Sequence, residues 1–389
     1  MPLLRIPYTD PLPPPQIIPR SANTSSGAIA ALAEFLSAPS SPHLKHHETQ
    51  NDKTLLLTGA GISVASGLAD YRGTNGTYTL NKKYRPIYYS EFTSNHEARK
   101  RYWARSYLGW TNLHKARPNT AHWAIKRLGE LGRLSSVITQ NVDSFHPAAH
   151  PQLPTIELHG YLRSIVCLTC RNEYPREAFQ QQLSALNPAW ATFLEEIIAS
   201  GALDTEHPEE RRKKGLKANP DGDVDVPNAP YTTFRYPTCP ACQANPPALP
   251  NGEKVVIKAD NDGAWMESST GGILKPAVIM FGESIPADIK TDAEQAVDGA
   301  SRILVVGSSL ATYSAWRLVK RAKQNGMPIG ILNIGGVRGE ETFFADVPPG
   351  NTGRFAMRCS VSADHVLPSV VSTIEDLHNM RAMRASARA

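Results

Sequence analysis

Four of the five cysteines fall in two Cys-x-x-Cys pairs, Cys167 with Cys170 and Cys239 with Cys242. Four thiolates of this kind suit tetrahedral zinc, and a closed four-thiolate site leaves no open position, so such a metal is structural rather than catalytic. Paired zinc ligands are usually about 15–20 residues apart, whereas 68 residues separate these pairs. Turn residues follow the first pair (Arg171-Asn172) and open the interior of the second (Pro240). Redox dithiols or unrelated buried cysteines are the other readings. So few cysteines do not make a disulfide-stapled secreted scaffold.

Six further stretches could do chemistry. Gly59-Ala60-Gly61-Ile62-Ser63 follows the apolar run Thr54–Thr58. Small residues let backbone approach a diphosphate, and a helix N-terminus favours negative charge; a plain tight turn is the alternative. Val64 occupies the third glycine position of the dehydrogenase fingerprint, and no acidic residue stands about 20 residues on for a ribose. Gly67–Gly73 carries Asp70, Tyr71 and Arg72, an arginine for a phosphate or a local Asp–Arg contact. Thr139-Gln140-Asn141-Val142-Asp143 ends another strand-like run. Glu157-Leu158-His159-Gly160 offers a general base, His159, one of 12 histidines; a structural histidine is the alternative. Gly307-Ser308-Ser309 and Asn333-Ile334-Gly335-Gly336 each follow a further apolar run, and suit phosphate or ribose hydroxyls as well as ordinary turns.

These stretches need strands to present them. Thr54–Thr58, Leu134–Thr139, Ala277–Phe281, Ile303–Gly307 and Ile329–Asn333 read as buried strands. Helical patterns lie near Asp288–Gly299 and Tyr313–Asn325, and one opens at Pro118-Asn119-Thr120 and closes at Gly132. This alternation predicts an α/β fold, a Rossmann-like parallel sheet with helices on both faces. Ligands of open α/β sheets bind beyond the carboxyl ends of the strands, where most of these motifs fall. Residues 161–275 break the rhythm. They hold the paired cysteines, a charged stretch at Glu206–Lys217 and the turn Asn219-Pro220-Asp221-Gly222, and read as a small zinc-binding domain with insertions. The Rossmann-like domain would then be discontinuous, 51–160 and 276–378, followed by a tail at 379–389.

The first 50 residues are proline-rich, with a short helix expected at Gly27–Leu36 capped by Ser25 or Ser26. Arg5, Arg20 and Lys45 are balanced by Asp10, Glu34 and Glu48, which does not fit an Arg-rich, acid-poor transit peptide. A net charge of +5 spread over 389 residues gives no reason to expect direct nucleic-acid binding. No run of 18 uncharged apolar residues occurs, so no transmembrane helix is expected. With 27 glycines and 31 prolines, the chain is not of low complexity.

Taken together, these residues resemble the sirtuin family over about residues 50–370. The carriers are GAGISVASGLADYRG (59–73), TQNVDSFH (139–146), ELHG (157–160), the two cysteine pairs, KPAVIMFGESIP (275–286), GSSLATYSA (307–315) and LNIGG (332–336). RYWARSYLGW (101–110), PNTAHWAIKRLGELG (118–132), LNPAW (186–190) and NPDGDVDV (219–226) look like the class II, mitochondrial-type branch. Ala69 stands where the family usually has Pro, Gly73 where Ser is common, and Ser144-Phe145 where a small-apolar pair is usual. Two stretches look longer than in the family, the one between the cysteine pairs and Gln243–Leu274.

The resemblance implies a protein-lysine deacylase that consumes NAD as co-substrate and binds one structural zinc. The acyl oxygen would attack the ribose carbon as nicotinamide leaves, and His159 would take a proton from a ribose hydroxyl. Acyl-ADP-ribose and free lysine would be released. Gln140 and Asn141 would hold the ribose and the attacking water, and Asp143 and Ile62 the nicotinamide carboxamide. Gly59, Ala60, Arg72, Ser308 and Ser309 would face phosphates, and Asn333 and Gly335 the adenosine ribose. Cys359 would lie near the adenine through its backbone, or be a small buried hydrophobe. Gly61, Asp70, Tyr71, Gly307 and Ile334 complete the implied cofactor site. Partners would be acylated-lysine proteins. Arg99, Arg101 or Arg105 could anchor an acidic acyl chain or form a solvated helix face. Protein mono-ADP-ribosylation and a non-catalytic NAD-sensing module are the rival functions. The branch resemblance implies the mitochondrion, with cytoplasm or nucleus as alternatives.

Overall fold

A computed structural model describes residues 11–39, 52–80, 84–201, 217–248, 252–347 and 353–386. Most of the charged stretch, 206–216, and the end of the tail, 387–389, lie outside these. Strands run in chain order as β1 (Thr54–Thr58), β2 (Leu134–Thr139), β3 (Thr155–Glu157), β4 (Gly160–Cys167), β5 (Glu173–Pro175), β6 (Lys217–Ala218), β7 (Val224–Asp225), β8 (Leu274–Val278), β9 (Arg302–Val306), β10 (Ile329–Leu332) and β11 (Ala356–Cys359).

Six strands form one sheet in the order β11-β10-β9-β1-β2-β3, and every pair in it is parallel. Side chains alternate across it. Leu56, Val137, Leu304, Leu332 and Met357 pack against helices Ser25–Ser37, Thr120–Glu130 and Ala363–Ser386. Leu55, Leu57, Ile138, Ile303, Val305 and Ile331 face helices Ala287–Asp298 and Tyr313–Gln324. Burial on both faces explains why β1, β9 and β10 read as unbroken apolar runs.

The sequence order of the strands reverses at β1, with β2 on one side and β9 on the other. Register aligns Thr58 with Thr139 and Val306, Thr139 with Glu157, Val306 with Leu332, and Leu332 with Cys359. The loops beginning at Gly59, Gln140, Leu158, Gly307 and Asn333 therefore leave the sheet in one row. In open α/β sheets the reversal point is where ligands bind.

Two expectations change. Of the stretch read as a strand at Ala277–Phe281, only Ala277 and Val278 are strand: they end β8, Leu274–Val278, which begins three residues earlier and pairs antiparallel with β4 in a separate three-stranded sheet, β5-β4-β8. The rest of the run, Ile279–Phe281, is not strand but lines the cleft, and an apolar run does not by itself fix a partner strand. The first helix is capped by Thr24, whose hydroxyl accepts from Gly27 N at 3.1 Å, because Ser25 and Ser26 already have helical backbone. Around the cysteines a second apolar cluster forms. Besides residues of 161–275 it takes Phe92, Trp103 and Tyr107, the last two from the 20-residue helix His96–Lys115.

Candidate active site

At the row of strand ends, the Gly59 and Gly307 loops pack backbone against backbone. Gly61 N donates to Gly307 O at 2.9 Å and Gly59 N to Val306 O at 3.1 Å. A Cβ on Gly61 would fall 2.9 Å from Gly307 O, and one on Gly307, at φ +63°, would fall 2.4 Å from Ile62 N. Glycine here is required first by the closeness of two loops. Ile62 points away from the cleft. It is buried in the core, and its carbonyl accepts from Asn119 Nδ2 at 2.7 Å.

These loops border a cleft of about 1010 Å³ whose lining includes Gly59, Ala60, Gly61, Asp70, Tyr71, Arg72, Gln140, Asn141, Asp143, His159, Gly307, Ser308, Ser309, Asn333, Ile334 and Gly335. Its floor carries two hydrogen-bonded sets. Gln140 Nε2 donates to Ser308 Oγ at 2.8 Å and to Thr58 O at 3.1 Å, while its Oε1 accepts from Thr312 at 3.0 Å. Asn141 Nδ2 donates to Ser63 Oγ at 3.1 Å, and Ser63 donates to Asp143 Oδ2 at 2.7 Å. Burial raises the Asp143 carboxyl above its ordinary range.

His159 follows β3. Its Nδ1 lies 3.1 Å from the Gln140 carbonyl and its Nε2 2.9 Å from Ser314 Oγ. A carbonyl only accepts, so Nδ1 carries the proton and Nε2 is the accepting nitrogen, taking the Ser314 hydroxyl. Burial pulls the ring down to about 4, which keeps it neutral at physiological pH.

On the opposite wall, Asp70 accepts from Gly73 N at 3.0 Å, and a Cβ on Gly73 would fall 2.2 Å from Asp70 Oδ2. This packing accounts for glycine at 73. Tyr71 stacks on Tyr78 at 5.7 Å and donates its hydroxyl to Asp221, and Arg72 sits 5.0 Å from the Tyr78 ring. At the far end of this wall Arg105 pairs with Asp223 at 2.7 Å. Arg99 is buried, donating to Tyr236 Oη and to the Phe92 and Thr93 carbonyls. It holds structure, and Arg101 does not line the cleft.

At the other end, Asn333 Nδ2 donates to Ile334 O at 3.0 Å. Gly335 is exposed, at φ +81°, with nothing within 4 Å of a built Cβ. Cys359 is absent from the cleft lining. Its side chain is buried beside Met357, and its carbonyl already accepts from Asn333 N at 3.1 Å and Arg358 Nη1 at 2.6 Å. The small-buried-hydrophobe alternative describes it. Ser63, Thr312 and Ser314 lie in the motifs 59–73 and 307–315, but residue type alone does not mark them as site residues.

The four paired cysteines converge with all sulfurs within 4.8 Å. Cys167–Cys242 and Cys170–Cys239 are 3.6 and 3.7 Å apart. Tetrahedral zinc with Zn–S of about 2.3 Å implies sulfurs about 3.8 Å apart, whereas a disulfide requires about 2.05 Å. The backbone amides of Thr169 and Cys242 point at Cys167 and Cys239 sulfur, at 3.3 and 3.5 Å. The set fits a structural zinc ion.

An α/β sheet with glycine loops at its reversal point, a neutral histidine in the cleft and a four-cysteine cluster define the class. Comparison with known proteins names it. A model of the Sir2 family matches residues 59–314. An NAD-dependent protein deacylase, SIR4, of Batrachochytrium dendrobatidis is 38% identical over 326 residues, 83% of this chain and 90% of that one. An NAD-dependent protein deacylase, SRT2, of Arabidopsis thaliana is 37% identical over 293 residues, 75% and 68% of the two chains. A solved structure from work on the mechanism and regulation of Sir2 enzymes shares the fold with a TM-score of 0.52 and 24% identity, covering 90% of this chain and 98% of that one. The chain belongs to the Sir2 family, the sirtuins.

Proposed function

We infer that this chain is an NAD-dependent protein-lysine deacylase that releases nicotinamide and acyl-ADP-ribose. One observation carries the reading: in a Sir2-family chain, His159, with its unprotonated Nε2 accepting only from the Ser314 hydroxyl, lines a cleft walled by both glycine loops. Bound NAD supplies an electrophilic ribose carbon and a leaving group. His159 Nε2 would accept a ribose hydroxyl proton, with Ser314 Oγ marking the place of that hydroxyl. Gln140 and Asn141 would orient ribose and water, and Asp143, held by Ser63, the nicotinamide amide. Gly59, Ala60, Arg72, Ser308 and Ser309 would face phosphates, and Asn333 and Gly335 the adenosine ribose. The open space at Gly335 leaves room for a sugar. Positioning of this kind lowers a barrier by about 7–11 kcal/mol, and general-base help adds about 10²–10⁴-fold.

The class II branch, a mitochondrial location and the division of the chain at 160/161 and 275/276 belong to the same reading. The branch and the location rest on the quoted motifs, and the division on the change of rhythm in the sequence. Among the described residues no helix is long and apolar enough to cross a membrane.

The test is mass spectrometry of products from NAD and a panel of acyl-lysine peptides, with His159→Ala beside the wild type. Acyl-ADP-ribose from the wild type alone is expected. ADP-ribose attached to protein without acyl-ADP-ribose would replace this reading with ADP-ribosyl transfer. NAD binding without turnover would replace it with a sensing module.

A further inference from the structure

Pro13, Pro14 and Pro15 stand in a row within the segment Pro11–Ile18. Proline runs are stiff, extended and without amide donors, so ordering them costs little entropy. The segment is pinned at its far end. Ile18 N donates to Arg358 O at 3.1 Å and Arg358 N to Ile18 O at 2.7 Å, an antiparallel bridge on the outer edge of β11. Gln16 N donates to Glu340 Oε1 at 2.7 Å, and Arg358, buried, holds that same oxygen at 2.8 Å. From this anchor the chain runs back onto the loop after β10. A Cβ on Gly336 would fall 2.0 Å from Pro13 O and 2.9 Å from Leu12 Cβ. Leu12 lines the same cleft as Asn333 and Gly335.

We propose that this segment is a wall of the nucleotide end of the cleft, with Leu12 covering the adenosine half of bound NAD and setting affinity for it. The proposal rests on the reading of the cleft as an NAD site. Ile334, in the same loop, is 60% exposed, so an adenosine lying between it and Leu12 would gain apolar cover that neither gives alone. Leu12 is a binding residue remote from His159. It should act through nucleotide affinity.

The experiment is calorimetric titration of NAD into the full chain, Leu12→Ser, a variant lacking residues 1–14, and Gly336→Ala. Peptide kinetics and unfolding midpoints are measured on each. Leu12→Ser and the deletion should weaken NAD binding about 3–30-fold, the loss expected for part of a buried leucine contact. The KM for NAD should rise by a similar factor. Gly336→Ala should displace Pro13 and weaken binding similarly in the full chain. In the deletion variant it should cost nothing more, because the two changes share one contact. Variants with an unchanged unfolding midpoint that bind NAD as tightly as the full chain would overturn the proposal. Failure of the full chain itself to bind NAD would instead overturn the reading of the cleft.

Discussion

His159 and Gln140 are tied by one hydrogen bond, from the histidine Nδ1 to the glutamine carbonyl at 3.1 Å. That bond fixes the tautomer and turns Nε2 to the cleft. His159→Ala should lose about 10²–10⁴-fold in deacylation while still binding NAD. Burial holds the ring near 4, so the acid limb of the rate should fall below the ordinary imidazole midpoint of about 6.5. Initial rates across pH, taken while the chain is folded, check this; an acid limb centred at 6.5 would contradict it.

Gly307 separates two loops that touch through backbone. Alanine there would place its Cβ 2.4 Å from Ile62 N and adopt a positive φ. Gly307→Ala should cost about 1–3 kcal/mol of stability and weaken NAD binding, as urea unfolding and calorimetry would show. Unchanged values in both would mean the loops can part without loss.

Bound metal should be close to one zinc ion per chain, held by Cys167, Cys170, Cys239 and Cys242. Because structural zinc contributes folding energy directly, Cys239→Ser and chelation should both lower the unfolding midpoint. Metal analysis beside thermal melts tests this. A metal-free chain of full stability would refute it.

His122, His146 and His150 lie together beneath Thr58. His146 Nε2 is 2.9 Å from Thr58 Oγ1, and its Nδ1 is 2.9 Å from His150 Nε2. Burial lowers His122 to about 3, and burial with its histidine neighbours lowers His146 well below the usual range. As pH falls through about 6.5 the unfolded chain takes up protons that the folded chain refuses, so stability declines from there down to about 3. His122 alone should cost about 2 kcal/mol at pH 5. Asp221, raised to about 6 by burial, works in the opposite direction between pH 6 and 4. Comparison of the wild type with His122→Gln in urea at pH 7.5 and 5 isolates the histidine contribution. Equal pH dependence in both would exclude it.

Arg105 lines the cleft, but Asp223 holds its charge at 2.7 Å in a nearly buried pair. The loop carrying Asp223 lies against the helix bearing Arg105, where a Cβ on Gly109 would fall 2.0 Å from Gly222 O. Removing the carboxylate leaves a cation facing the cleft. Asp223→Ala should therefore raise kcat/KM for a dicarboxylic acyl-lysine peptide, relative to an acetyl peptide, by about tenfold. An unchanged ratio would mean that Arg105 does not reach the acyl group.

The sequence by itself determined a good part of this protein. β1 and β2 begin and end at the residues read from the sequence, and β1, buried on both faces, is apolar between its two end threonines. The cysteine pairs and the polar residues after each strand were legible as residue types at strand ends. Partners were not legible. Nothing local tells β8 that its neighbour is β4 and that it pairs antiparallel, since register and pairing are long-range properties. Only the tertiary structure turned Ile62 and Cys359 into the core, brought Ser314 to His159, gave Arg105 its carboxylate and laid Leu12 across the loop after β10. Each joins residues far apart in the chain. Local spacing decides which side chains can do chemistry, and packing decides what each one faces.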